Sequence, residues 1–252
     1  MREEPNQIID ACAALGSGET WEPKTRHVRY DADELLGYSS EAGITRSCIM
    51  PARNLSYEEK NREIARFCEK YPRKFIGFAV HSPQRETGRL REMLIREVRS
   101  MGLKALKTDG HPTREILDVA AELGVPVMYY PEEETASLTR LYDTMLAVYP
   151  SVSFILPHLG SYRSARWWVH IEAIDLARRY PNFYLETSGV LSHKYLEMAT
   201  RALPAERIIF GSNAPELDPR VEVEAVKLLK LNGEQEAAVF GGNIRRLLGN
   251  RG

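Results

Sequence analysis

Eight short apolar runs recur along the chain: Ile8–Cys12, Ser47–Met50, Phe75–Val80, Ala105–Lys107, Val127–Tyr130, Phe154–Leu156, Phe183–Leu185 and Ile208–Phe210. They are continuous rather than alternating, the pattern of strands covered on both faces. Amphipathic stretches lie between them, at Tyr57–Tyr71, Arg89–Met101, Thr113–Leu123, Ser137–Tyr149, Ser164–Tyr180 and His193–Ala202. Pro72, Pro150 and Pro181 each follow a tyrosine and act as helix stops. Gly43, Gly102 and Gly124 stand where left-handed helix ends are needed. Near the C-terminus, Asn232 and Gln235 have the spacing of a capping box. Gly241 and Gly242 are expected to break that helix, and Asn243 to cap a last turn ending at Gly249.

Strands alternating with helices over 252 residues predict an α/β protein, a (β/α)8 TIM barrel, as one domain spanning 1–252. A doubly wound open sheet is the rival. The segment ALGSGET after the first strand has two glycines and no clear helix behind it, so it makes a poor phosphate loop.

Composition narrows the picture. Thirty-four basic residues face 35 acidic ones, so no nucleic-acid or membrane-surface partner is expected. No apolar run approaches the ~20 residues of a membrane span. The start, MREEPNQ, is polar and does not read as a secretory signal. Cys12, Cys48 and Cys68 form neither a disulfide framework nor a paired zinc spacing. A reducing, cytoplasmic setting is expected.

In a barrel, chemistry gathers where strands end. The strand ends here carry Cys12 in IIDACAALG, His81 in FIGFAVHSP, Lys107 and His111 in LKALKTDGHP, Tyr130 in VPVMYYPEEE, His158 in FILPHLGS, Glu186 in FYLETSGV and Asn213 in IIFGSNAP. In this order the segments PHLGS, GSNAP and NIRRLL resemble the amidohydrolase-related family of metal-dependent barrels. That family includes aminocarboxymuconate semialdehyde decarboxylase and several aromatic-acid decarboxylases. The resemblance runs from the first strand to the closing GGNIRRLLG.

The resemblance implies His-x-His on the first strand, a histidine ending the fifth and an aspartate in Gly-Ser-Asp on the eighth, together holding zinc or a similar ion. A sixth-strand histidine would help to activate metal-bound water. This chain has Cys12 and Ala14, Tyr130 and Asn213 at the ligand positions, and only His158 matches. Ala14 offers no donor, a neutral phenol titrates near ~10, and an amide oxygen carries no charge. No metal or other cofactor is therefore expected, unless zinc finds a rebuilt site using Cys12, His158 and a loop histidine.

Candidate roles follow. His158, Lys107 and Glu186 are the candidate catalytic groups: His158 as an acid–base group or a histidine held by a carbonyl, Lys107 as partner of Glu186 or of a substrate carboxylate, or as a Schiff-base former, and Glu186 as a base if its pKa is raised. Cys12, Tyr130, Asn213, His81 and His111 are candidate substrate contacts. Cys12 also reads as a small buried apolar side chain, Tyr130 as filler of the space an ion would take, and His81 and His111 as solvated loop residues. The acidic run Glu132–Glu134 is expected to cap a helix, and Trp167 and Trp168 to pack or to meet another subunit. Three functions stay open: an enzyme acting on a small carboxylate or cyclic compound, a silent small-molecule-binding or regulatory barrel, and a hydrolase with a rebuilt metal site. A homodimer is expected from the resemblance.

Overall fold

The computed structural model describes residues 7–21, 26–131, 137–163 and 166–249. The acidic run 132–134 and the expected helix start at residue 164 lie outside them. Nine strands form one sheet in the order β2-β1-β3-β4-β5-β6-β7-β8-β9. They are β1 (Ile8–Glu19), β2 (His27–Tyr30), β3 (Ile44–Pro51), β4 (Phe75–His81), β5 (Ala105–Thr108), β6 (Val127–Tyr129), β7 (Phe154–Leu156), β8 (Phe183–Glu186) and β9 (Ile208–Ile209). All eight expected strands are present, as β1 and β3 to β9, and each is parallel to the next. At the two ends of this series, Ala11 N donates to Phe210 O at 3.0 Å and Ala14 N to Ala214 O at 2.8 Å.

Helices α1 (Ala32–Glu41), α2 (Glu58–Lys70), α3 (Leu90–Arg99), α4 (Arg114–Leu123), α5 (Leu138–Val148), α6 (Trp167–Arg179), α7 (His193–Ala202) and α8 (Pro219–Lys227) follow the strands. One apolar core lies between helices and sheet, with Leu35, Ile64, Leu106, Ile116 and Phe183 among its members. A second lies on the opposite face of the strands and holds Ile9, Ala11, Met50, Phe78, Ala105, Met128, Ile155 and Ile209. Filled on both faces, the strands need continuous rather than alternating apolar sequence.

Three features depart from the expectation. The first strand runs on to Glu19 and folds back against β2, pairing Gly16 with Tyr30 and Glu19 with His27. Helices α1 and α8 were not legible as apolar periodicity. Each starts at an aspartate whose carboxylate accepts backbone N–H groups, Asp31 and Asp218. Finally, Gly241 and Gly242 do not break the C-terminal helix. Asn232 and Gln235 form the expected capping box over α9 (Gly233–Ala237), and the chain then stays helical through a π turn, Ala238–Gly242, into α10 (Asn243–Leu247). Gly241 is needed there for close approach, because a Cβ would strike the carbonyl of Gln7. Asn243 caps nothing. Its buried amide donates to Ala205 O and Ile208 O, both at 2.7 Å, tying α10 to β9.

Candidate functional site

Strand period places the side chains. Ala105, Met128 and Tyr184 belong to or border the inner core, so Lys107, Tyr130 and Glu186, each two residues on, project to the same side at the C-terminal strand ends. On β1 a register shift between Asp10 and Ala13 disturbs the alternation. Cys12 stays with the inner core, whereas Ala14 joins the sheet–helix core. Two strand-end residues are re-aimed by left-handed backbone, His158 at φ 59° and Asn213 at φ 53°.

Glu186 is wholly buried. It accepts hydrogen bonds from His158 N at 2.9 Å, Ser188 N at 2.7 Å and Ser188 Oγ at 3.0 Å. Burial outweighs these donors and raises its pKa to about 7. The Lys107 ammonium lies 3.6 Å from the ring centroid of Trp21.

His158 is buried. Its Nδ1 is 3.0 Å from the carbonyl of Ser188, which can only accept, so Nδ1 carries the proton and Nε2 is left as an acceptor. Nδ1 also lies 2.9 Å from Ser188 Oγ, which donates onward to Glu186. Burial lowers the His158 pKa to about 3, with help from the charge of Lys107. The ring is flanked by Tyr130 at 5.4 Å and Tyr162 at 4.8 Å between centroids, and Tyr130 Oη accepts from Tyr162 N at 3.1 Å.

Cys12 donates its thiol proton to Asn213 Oδ1 at 3.8 Å. Burial and the negative charge of Glu186 push its pKa well up, which keeps it a thiol rather than a nucleophilic thiolate. Beside it stands a residue the sequence reading passed over, Asp10. This carboxylate accepts from Cys12 N at 2.9 Å, Ser212 N at 2.8 Å and Ser212 Oγ at 2.6 Å. Burial raises its pKa to about 6. A lone acid within an apolar strand was the available signal. Trp21, Tyr162 and Ser188 carried none, because partners distant in sequence give them their place.

The two loop histidines part company. His81 is not a solvated loop residue: it ends β4, fully buried, with Nδ1 3.0 Å from Glu86 Oε2 and Nε2 2.6 Å from Glu97 Oε2. Burial alone would lower its pKa, but the two carboxylates outweigh it and raise the value to about 9. Buried between two carboxylates, it favours the imidazolium form. His111 is exposed and lines a different cavity, with its Nδ1 3.4 Å from Tyr129 Oη. The structure thus gathers Cys12, Lys107, Tyr130, His158, Glu186 and Asn213, and separates His81 and His111 from them.

Among the described residues no three His, Cys, Asp or Glu side chains are grouped to hold a metal ion, and no helix is long and apolar enough to cross a membrane. An α/β barrel-type sheet with candidate chemistry at its strand ends defines the class of protein, and sequence comparison names the family. The chain belongs to the amidohydrolase family, whose profile matches residues 29–249. No curated protein matches it. Solved structures share the fold at low identity. A 2,6-dihydroxybenzoate decarboxylase from Rhizobium aligns with a TM-score of 0.75 and 17% identity, over 98% of this chain and 100% of its own. The 5-carboxyvanillate decarboxylase of Sphingomonas paucimobilis gives 0.72 and 16%, over 96% and 98%. A dihydroxybenzoic acid decarboxylase from Polaromonas, solved with manganese and the inhibitor 2-nitroresorcinol, gives 0.74 and 18%, over 98% of each chain.

Proposed function

We propose that this chain is a (β/α)8 barrel, with the Ala11–Phe210 and Ala14–Ala214 bonds as its seam, that binds a small cyclic hydroxycarboxylate at the strand ends and acts on it as a carboxy-lyase. The observation that carries the reading is the pairing of unlike groups in one apolar, aromatic-walled place. Lys107 supplies a buried cation for a carboxylate, and His158 Nε2 supplies an acceptor for a hydroxyl. Tyr130 and Tyr162 supply ring faces beside that acceptor. The decarboxylases of like fold act on hydroxylated aromatic acids, as their names state, which supports this substrate class.

The chain Glu186–Ser188–His158 gives the site a way to hold a proton. His158 Nδ1–H reaches Ser188 Oγ, whose own proton reaches Glu186. A proton taken by Nε2 from a substrate hydroxyl would be stabilised through Ser188 by the Glu186 carboxylate. A substrate carboxylate on Lys107 would also neutralise the charge that depresses His158, making it a better base once substrate is bound.

The residues at the expected ligand positions do not fit a divalent ion. Ala14 has no donor, Asn213 offers only an uncharged amide oxygen that already accepts from the Cys12 thiol, and a lysine ammonium stands close enough to act on Cys12. We therefore infer that catalysis here runs on the chain's own side chains. Lys107→Met should weaken binding of 2,6-dihydroxybenzoate at least ten-fold by calorimetry, and His158→Ala should abolish carbon dioxide release with smaller loss of binding. Binding without any release of carbon dioxide by the unaltered protein would remove the lyase reading. Manganese or zinc at one equivalent per chain would remove the metal-free one.

A further inference from the structure

A cavity of about 610 Å³ opens between the ends of β4 to β6 and helix α5, and neither Lys107 nor His158 lines it. Among the described residues its walls carry three guanidinium groups, Arg53, Arg85 and Arg140, against one carboxylate, Asp109. That carboxylate is an organiser. Asp109 Oδ1 lies 3.3 Å from Arg53 Nε, and Oδ2 lies 3.5 Å from Arg85 Nη1 and takes the hydroxyl of Tyr57 at 2.8 Å. Arg53 places its Nη1 on Glu19 and Arg85 its Nη1 on the carbonyl of Asn54. The Nη2 group of each has no hydrogen-bond partner among the described residues. Arg140, on the first turn of α5, has no carboxylate within salt-bridge distance among them either. Two arginine forks are thus held in place with donors to spare, and a third stands opposite.

We propose that this cavity binds a small organic phosphomonoester. Among the described lining residues the excess of about two positive charges matches the ≈ −1.5 to −2 charge of such a group at neutral pH. Guanidinium forks suit its several oxygen acceptors. The volume falls within the usual ~300–1,000 Å³ of ligand cavities and exceeds what inorganic phosphate would fill. Tyr129 and Met145 give the organic part an apolar floor. The proposal does not rest on the carboxy-lyase reading, because it shares no residue with that site.

Titration calorimetry on the full chain at low salt, with phenyl phosphate as probe and phthalate as comparison, tests it. Phenyl phosphate should bind at least ten-fold more tightly than phthalate. Arg140→Ala, an exposed position whose loss should not disturb folding, and Arg85→Ala should each weaken it about ten-fold, and Lys107→Met should leave it unchanged. No binding, equal affinity for phthalate, full affinity in Arg140→Ala, or equal loss in Lys107→Met would each overturn the assignment.

Discussion

At the scale of single residues, the site depends on what cannot be added as much as on what is present. Gly211 sits against Glu186. A Cβ there would clash with Oε1 and come within 2.7 Å of Cδ. Glu186 cannot swing aside without releasing three donors, His158 N among them. Gly211→Ala is therefore expected to cost about 3 kcal/mol in urea unfolding and to disturb His158. Gly37, inside α1, is the control: nothing lies within 4 Å of its added Cβ. Gly37→Ala should stabilise by about 0.5–1 kcal/mol, through helix propensity and a less free unfolded chain. A smaller effect at Gly211 than at Gly37 would mean that Glu186 is not fixed as described.

At the scale of elements, the C-terminal helical run separates two uses of asparagine. Asn232 is exposed and caps α9 with Gln235. Asn243 is buried and spans from α10 to the carbonyls of Ala205 and Ile208. Loss of an exposed cap costs about 1 kcal/mol. Loss of the buried Asn243 amide takes the side-chain donor from Ile208 O and from Ala205 O, the latter still accepting from Ile208 N; a buried carbonyl left unsatisfied costs about 1–3 kcal/mol. Asn243→Ala should thus lower the urea midpoint further than Asn232→Ala. The same run sets Phe240 against Phe210 at 5.3 Å and accepts Phe210 N on Val239 O at 3.0 Å. It anchors the strand that presents Ser212 and Asn213.

At the scale of the whole molecule, buried ionisable groups make stability depend on pH in a definite direction. Asp10, at about 6, and Glu186, at about 7, hold protons to higher pH than free carboxyls do. His81, at about 9, does the same relative to free histidine. For such groups the folded state binds more protons than the unfolded, so stability falls as pH rises. The carboxyls act from about 4 up to 7 and His81 from about 6.5 up to 9. His158, at about 3, works oppositely, and its contribution is lost as pH falls from about 6.5 toward 3. Urea unfolding should therefore show stability declining from about pH 6.5 to 9, by up to about 1.4 kcal/mol per pH unit from His81. His81→Gln should flatten that slope even if it lowers stability throughout. An unchanged slope in that variant would show that His81 is not a buried imidazolium.

Spacing along the sequence carries eight of the nine described strands, six of the helices, the capping box at Asn232 and the family; β2 was not among them. Each of these is written in spacing: apolar runs long enough for a doubly covered strand, amphipathic stretches, and turn residues at fixed offsets. Helix α8 escaped because its valines alternate with glutamates like a strand, and α1 because Gly37 and its serines interrupt the apolar pattern. Only the tertiary structure decided which chemistry meets. It joined Asp10 to Ser212, 202 positions apart, set Lys107 over Trp21, and strung Glu186, Ser188 and His158 into one chain. It also withdrew His81 into the core between two glutamates. The physical reason is that a side chain's direction at a strand end depends on bulges and left-handed residues. Its protonation depends on burial by segments far away in sequence, and neither quantity is carried by local spacing.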